Sequence, residues 1–158
     1  MWTPIIAAIA AVSLQAQEPI VISWSDLIPA DAAPGAEDDT PVDHDGAGPA
    51  KQVGSADPVM DFDQQTIRMP GFMLPLDYSD KGEVTSFLLV PYYGACIHVP
   101  PPPPNQIVYV DTKAAPVQAK GLWDPVWVIG TMQVKMNKNG LGDAAYTLLL
   151  DEMMPYDD

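Results

Sequence analysis

The stretch from Glu83 to Thr112, EVTSFLLVPYYGACIHVPPPPPNQIVYVDT, decides how the chain is read. Its ends, EVTSFLLV and NQIVYVDT, are short, apolar and rich in β-branched and aromatic residues, which marks them as strands. Between them, Pro100 to Pro104 fix φ and remove five backbone donors. That segment cannot be an inner strand and is expected to run as a polyproline II rod. Working outward, TIRMPGFMLPLD alternates and carries β-formers, with a bend or bulge expected at Pro70 and Gly71. SDKG (Ser79 to Gly82) is a turn, and GACIHV is expected to continue the second strand past a bend at Pro91. DPVWVIGTMQVKM is a further strand, NKNGLGD a hairpin-like turn and AAYTLLLDEM the last strand, although its Ala and Leu would also suit a short helix. Five or six strands of this length in mostly antiparallel order predict an all-β fold, a small barrel whose closure removes sticky edges.

The chain has 158 residues, room for one domain, and a hydrophobic share of 47%, enough for a core. Its 21 acids against 7 bases give a net charge of −14. Such a field repels phosphate backbones, which excludes nucleic acid as a partner, and disfavours anionic membrane surfaces. Ile5 to Leu14 is an apolar run of signal-peptide length, too short to span a bilayer, although no Lys or Arg precedes it. Residues 1–17 therefore read as a signal peptide, with cleavage after Ala16 and a periplasmic destination. Residues 18–30, with PIVISWSDLIP, read as an N-terminal arm docked on the domain. Residues 31–63 hold nine acids and one base, Lys51, among Pro, Gly and Ala. Such a segment buries too little apolar surface to offset its ordering entropy, and its middle is read as a flexible acidic loop. Residues 64–158 form the barrel domain, with no internal repeat. No other apolar run approaches membrane length, so the mature protein is not expected to span a membrane.

A single cysteine, Cys96, excludes an internal disulfide. In an oxidising compartment such a thiol is expected to be buried, ligated or used. On a strand, Cys96 and His98 would share a face. Thiolate and imidazole are preferred zinc ligands and also suit copper. A zinc site needs further ligands, which leaves His44, a carboxylate such as Asp77, or a methionine. The plainer alternative is a buried thiol beside a hydrogen-bonded histidine. A third is thiol chemistry at Cys96, although neighbours two apart on a strand are poorly placed for proton transfer and no orienting residue is evident. The chain has no G-x-S-x-G elbow, C-x-x-C pair or glycine-rich phosphate loop, and an enzyme is not expected. The rod reads first as a connector; as a partner-facing surface it would present Pro102. Asn105 and Gln106, held at a fixed distance from His98, are the supporting polar groups.

The blocks SWSDLIP, RMPGFMLPLD, SFLLVPYYGACIHVPPPPPNQIVYV and LWDPVWVIGTMQV resemble the bacterial exported family called domain of unknown function 3299. The resemblance covers the mature chain apart from the acidic insert, and Gly94 to Gln106 is its most specific mark. It implies an exported or lipid-anchored protein with an OB-like barrel, companionship with ABC-transporter components and, in some bacteria, an association with zinc limitation. It implies no established catalytic activity. No cysteine stands at the signal-peptide end, so a lipid anchor is not expected here. The resulting expectation is a non-enzymatic periplasmic accessory with a zinc-linked Cys96–His98 site. The alternative is a metal-free interaction module of the envelope.

Overall fold

The alternation of apolar and polar residues builds six strands in the computed structural model, which describes residues 18–32 and 51–156. They are β1 (Ile20–Val21), β2 (Thr66–Tyr78), β3 (Val84–Val90), β4 (Val108–Asp111), β5 (Asp124–Gln133) and β6 (Tyr146–Pro155). Short 3-10 turns lie at Trp24–Leu27, Met60–Phe62 and Pro104–Gln106. The sheet runs β1-β2-β3-β4-β6-β5, and β5 pairs back onto β2. Five strands therefore close into a barrel, and β1 lies outside it as a parallel strand on β2. With β4 and β6 parallel and the other barrel pairs antiparallel, the strand order is that of an OB fold. The expected all-β, OB-like barrel is present, and it is closed. The signal-peptide reading of residues 1–17, His44 and the centre of the acidic loop lie outside the described residues.

Along β5, Val126, Val128 and Met132 face inward while Trp127, Ile129 and Thr131 face outward, the period of two that a half-buried strand requires. β2 does the same through Ile67, Met69 and Met73, with Arg68, Pro70 and Phe72 outside. The inward set, with Phe87, Tyr146 and Leu148, fills the barrel. From Leu74 the alternation of β2 stops, because a second apolar cluster covers its outer face. Leu74, Leu88, Val90, Ile107 and Trp123 form that cluster. β3 is apolar on both faces for the same reason.

Two local expectations are corrected. β2 does not bend at Pro70 and Gly71; its register shifts fall around Leu76 instead. Pro70 is tolerated because it lies between the part of β2 that pairs with β1 and the part that pairs with β3, so a missing N–H breaks no ladder on that side. Gly71 shares the inward parity of Met69 and Met73, and a Cβ there would lie 2.9 Å from Trp24 Cζ2 and 2.6 Å from Leu89 Cγ of the barrel core. The arm thus inserts its indole where β2 lacks a side chain. The second correction is GACIHV, which is not strand. β3 ends at Val90, and residues 91–99 form a turn closed by His98 N–H donating to the Gly94 carbonyl at 3.0 Å. Gly94 (φ +86°) and Cys96 (φ +69°) both take left-handed conformations that no strand contains.

The end of the region assigned to the acidic loop is held on the barrel. Gln52 Nε2 donates to the carbonyls of Pro102 and Asp143 at 2.8 and 2.9 Å, and its Oε1 accepts from Asp143 N–H at 2.7 Å. One side chain thereby ties the proline rod to the β5–β6 hairpin. Gly54, at φ +100°, lies against the Pro103 ring, where any side chain would collide. The rod is a connector packed between these segments, with Pro102 buried.

Candidate functional site

The turn at 91–99 carries most of the chemistry singled out in the sequence, and it gives the two expected ligands different surroundings. Cys96 is half-buried and packs with the second apolar cluster. Its Sγ comes 3.7 Å from where a Cβ on Gly142 would stand. His98 is exposed, and its ring lies 5.2 Å from the indole of Trp123. With no strand beneath them, the two do not share a strand face. Asp77 is on the far half of the barrel wall, accepting a 2.6 Å hydrogen bond from Ser86 Oγ. Ser86 and the end of β3 at Val90 are about 13 Å apart at strand rise. Among the described residues no three His, Cys, Asp or Glu side chains gather as a metal-holding group. The polar groups expected to support His98 are used elsewhere. Asn105, buried, donates to the Asp57 carbonyl at 3.2 Å, and Gln106 donates to the Trp24 carbonyl at 2.9 Å. They hold the arm and the segment before β2 onto the rod.

Burial pushes the Cys96 thiol up to about 11. Burial first, and then the nearby Cys96, also raise Tyr92. A thiol held protonated is a poor nucleophile and gives up its proton reluctantly to a metal. At pH 8 the folded protein is therefore expected to react with a maleimide or a disulfide reagent about a hundredfold more slowly than the urea-unfolded chain. The stability linkage has a definite sign. The folded state keeps its proton where the unfolded thiol, near 9.0, has lost it, so stability falls as pH rises from about 9 to about 11. Cys96→Ser should flatten that decline. Equal labelling rates in the folded and unfolded states would refute the burial.

What the turn does present is aromatic and aliphatic surface. Tyr93 is 67% exposed, Ile97 48%, Val99 43% and Tyr92 41%. Trp123 supports them from below: it is buried, its Nε1 donates to the Ala95 carbonyl at 3.3 Å, and its ring lies 5.0 Å from that of Tyr93. Its own backbone is left-handed, at φ +57°, a costly conformation for a bulky residue. That strain is held by the Trp123 N–H donating to the Met73 carbonyl at 2.7 Å. Phe72 completes the cluster, edge-on to Tyr93 at 6.4 Å.

Beside this turn lies an open cavity of about 260 Å³. Its walls are Trp24, Phe72 and Tyr156 together with Pro70, Pro91 and Pro125, and Gly71 lies between them. Tyr156 stacks on Trp127 at 5.4 Å, and the guanidinium of Arg68 sits 4.5 Å from the same indole. None of these groove residues was identified as a site in the sequence. Their apolar character reads as core, and only the strand register shows that Phe72, Pro70 and Pro125 point outward.

Fold and surface together define a closed OB-like barrel that carries an apolar groove along its outer β2–β5 wall beside the aromatic turn after β3. The chain belongs to the family described as protein of unknown function (DUF3299), whose model matches residues 24–155. It is similar to a solved structure of a DUF3299 family protein from Pseudomonas aeruginosa PAO1, with 39% sequence identity and a TM-score of 0.72, covering 90% of this chain and 99% of that one. No curated protein matches the chain. Among the described residues no helix is long and apolar enough to cross a membrane.

Proposed function

We propose that this protein is a non-enzymatic docking module of the periplasm, an accessory that binds a component of an ABC-transporter system through the aromatic turn at residues 91–99. The observation that carries the reading is the exposure of Tyr92, Tyr93, Ile97 and Val99 on a turn whose underside is fixed by Trp123. Exposed apolar side chains grouped in this way mark interaction sites, and tyrosines on a rigid support lose little entropy when covered. Left-handed Cys96 and Trp123 are strained conformations of the kind that functional segments retain. The net charge of −14 sets the character of the partner surface, which is neutral or basic.

Protein contact is favoured over metal handling on donor chemistry. His98 offers one exposed imidazole, and the thiol beside it is held near 11. In this reading a zinc-linked role for the accessory is carried by its transporter partner. The test is photo-crosslinking in cells from a benzophenone side chain placed at Tyr93 or, as a control, at the exposed Lys113. A discrete adduct formed from position 93, absent from 113 and lost with Tyr92→Ala, is expected. Identical adduct patterns from both positions would sink the reading.

A further inference from the structure

The groove beside the turn has a chemistry of its own, and it deepens the docking reading above by specifying what the partner inserts. Its walls are three aromatic rings and three prolines, with Gly71 leaving the backbone bare between them. Apart from the indole N–H of Trp24 and the hydroxyl of Tyr156, no wall side chain offers a hydrogen-bonding group. Among the described residues neither of these meets a side-chain partner. The groove is thus apolar, and its two polar wall side chains are both able to donate to carbonyl groups.

A segment that fits must be apolar without needing its own N–H groups satisfied, and must bring free carbonyls. A polyproline II stretch has those properties: it has no internal hydrogen bonds, its prolines carry no N–H, and its carbonyls point outward. Aromatic-lined grooves are the usual receptors for such segments, because the ligand is already stiff and loses little entropy on docking. Charge adds a second constraint. Asp26 follows Trp24 by two residues and Asp124 precedes Pro125. The Ser23 hydroxyl, and then the Ser23 N–H, hold the Asp26 carboxyl below its usual range, so it stays ionised. Asp124 accepts from the Lys120 and Gly121 N–H groups at 2.6 and 2.9 Å. Arg68 is the only arginine of the chain and lies over Trp127. Acidic residues thus stand close in sequence to the Trp24 and Pro125 walls, within a chain of net charge −14, while the Arg68 cation is taken up by the Trp127 ring.

We infer that the groove between Trp24 and Tyr156 binds a proline-rich, basic segment of the protein partner in an extended polyproline II conformation. The rod at Pro100 to Pro104 of a second copy is a poor source. Pro102 is buried, and its carbonyl is engaged by Gln52.

The test titrates the full chain into a fluorescently labelled synthetic peptide, a run of prolines flanked by arginines, and reads anisotropy. Two control peptides replace the prolines by alanines or the arginines by glutamates. Saturable binding is expected for the first peptide, and binding about tenfold or more weaker for each control. Tyr156→Ala, at an exposed position that leaves the core intact, should weaken binding about tenfold while the melting temperature stays unchanged. Trp24→Ala should do the same, but it also disturbs the arm, so Tyr156 is the deciding variant. The inference is overturned by a failure to saturate, by equal affinity for the alanine control, or by a Tyr156→Ala protein that binds as well as the wild type. Self-association of the chain that Tyr156→Ala abolishes would overturn it too, by giving the groove to a second copy. A specific crosslink from position 93 alongside any of these negative results would leave the docking reading standing and remove only the proline-rich ligand.

Discussion

Gly130→Ala is expected to destabilise the protein by roughly 3 kcal/mol or more, the largest effect of any single methyl group in the barrel. The residue faces inward on β5, at the point where the register with β6 slips: Ile129 pairs with Glu152, and Gly130 with Leu150. Asp151 is the extra residue, and the bulge turns the carbonyl of Leu149 toward the Cα of Gly130. A Cβ there would press into the Leu149 carbonyl oxygen and lie 3.1 Å from Leu148 Cδ2. Backbone cannot swing aside as a side chain can, so the strand pair must part or the bulge must move. Gly140→Ala, with nothing within 4 Å of its Cβ, is the matched control and should be close to neutral. Urea denaturation of both variants checks the expectation. A Gly130→Ala midpoint no lower than that of Gly140→Ala would show that the bulge relaxes freely.

Tyr146→Phe is expected to cost about 2–3 kcal/mol, although it removes one oxygen atom and leaves the ring packed. Tyr146 is buried in the barrel, and its hydroxyl reaches two segments far away in sequence. It donates to the Leu27 carbonyl at 2.8 Å and accepts from the Val59 N–H at 2.7 Å. Phenylalanine would leave a buried carbonyl of the arm and a half-buried amide of the segment before β2 without partners. Loss of urea resistance should come with faster proteolysis at residues 18–30, since the arm loses its anchor while the barrel ladders remain. The alkaline behaviour follows as well. Burial raises the Tyr146 pKa above 10.0, and the Val59 hydrogen bond offsets part of that rise. The folded state retains a proton that the unfolded tyrosine releases, so wild-type stability falls as pH climbs past about 10. In the phenylalanine variant that component is absent. Unchanged urea midpoints at neutral pH, with unchanged arm cleavage, would show that water replaces the hydroxyl at no cost.

The strands were legible because their signal is local. VWVI, SFLLV and IVYV announce β-structure without reference to anything distant, and five prolines in a row cannot be misread. A short helix was the alternative for AAYTLLLDEM. Pairing on both sides decides for strand, since β6 is parallel to β4 and antiparallel to β5. The candidate site was less legible. Reading Cys96 and His98 as strand neighbours took their spacing of two as period-two alternation. Two left-handed residues break that period, and nothing in GACIHV besides its glycine announces them.

By itself the sequence determined the fold class, the acidic character of the chain, and the proline rod that separates β3 from β4. These follow from nearest-neighbour preferences and from summed charge, which need no partner in space. Only the tertiary structure decided which apolar residues face outward. Phe72, Tyr156 and Trp24 are as hydrophobic as any core residue. They form a groove because closing the barrel leaves Phe72 on its outer wall and Tyr156 beside it, while Trp24, packed against the core, closes the groove from the arm. The same holds for Gly71 and Tyr146. One lacks a side chain where an arm 47 residues earlier must enter, and the other carries a hydroxyl for carbonyl and amide groups 119 and 87 residues away. Such long-range pairings are set by the closed ladder, and no local pattern encodes them.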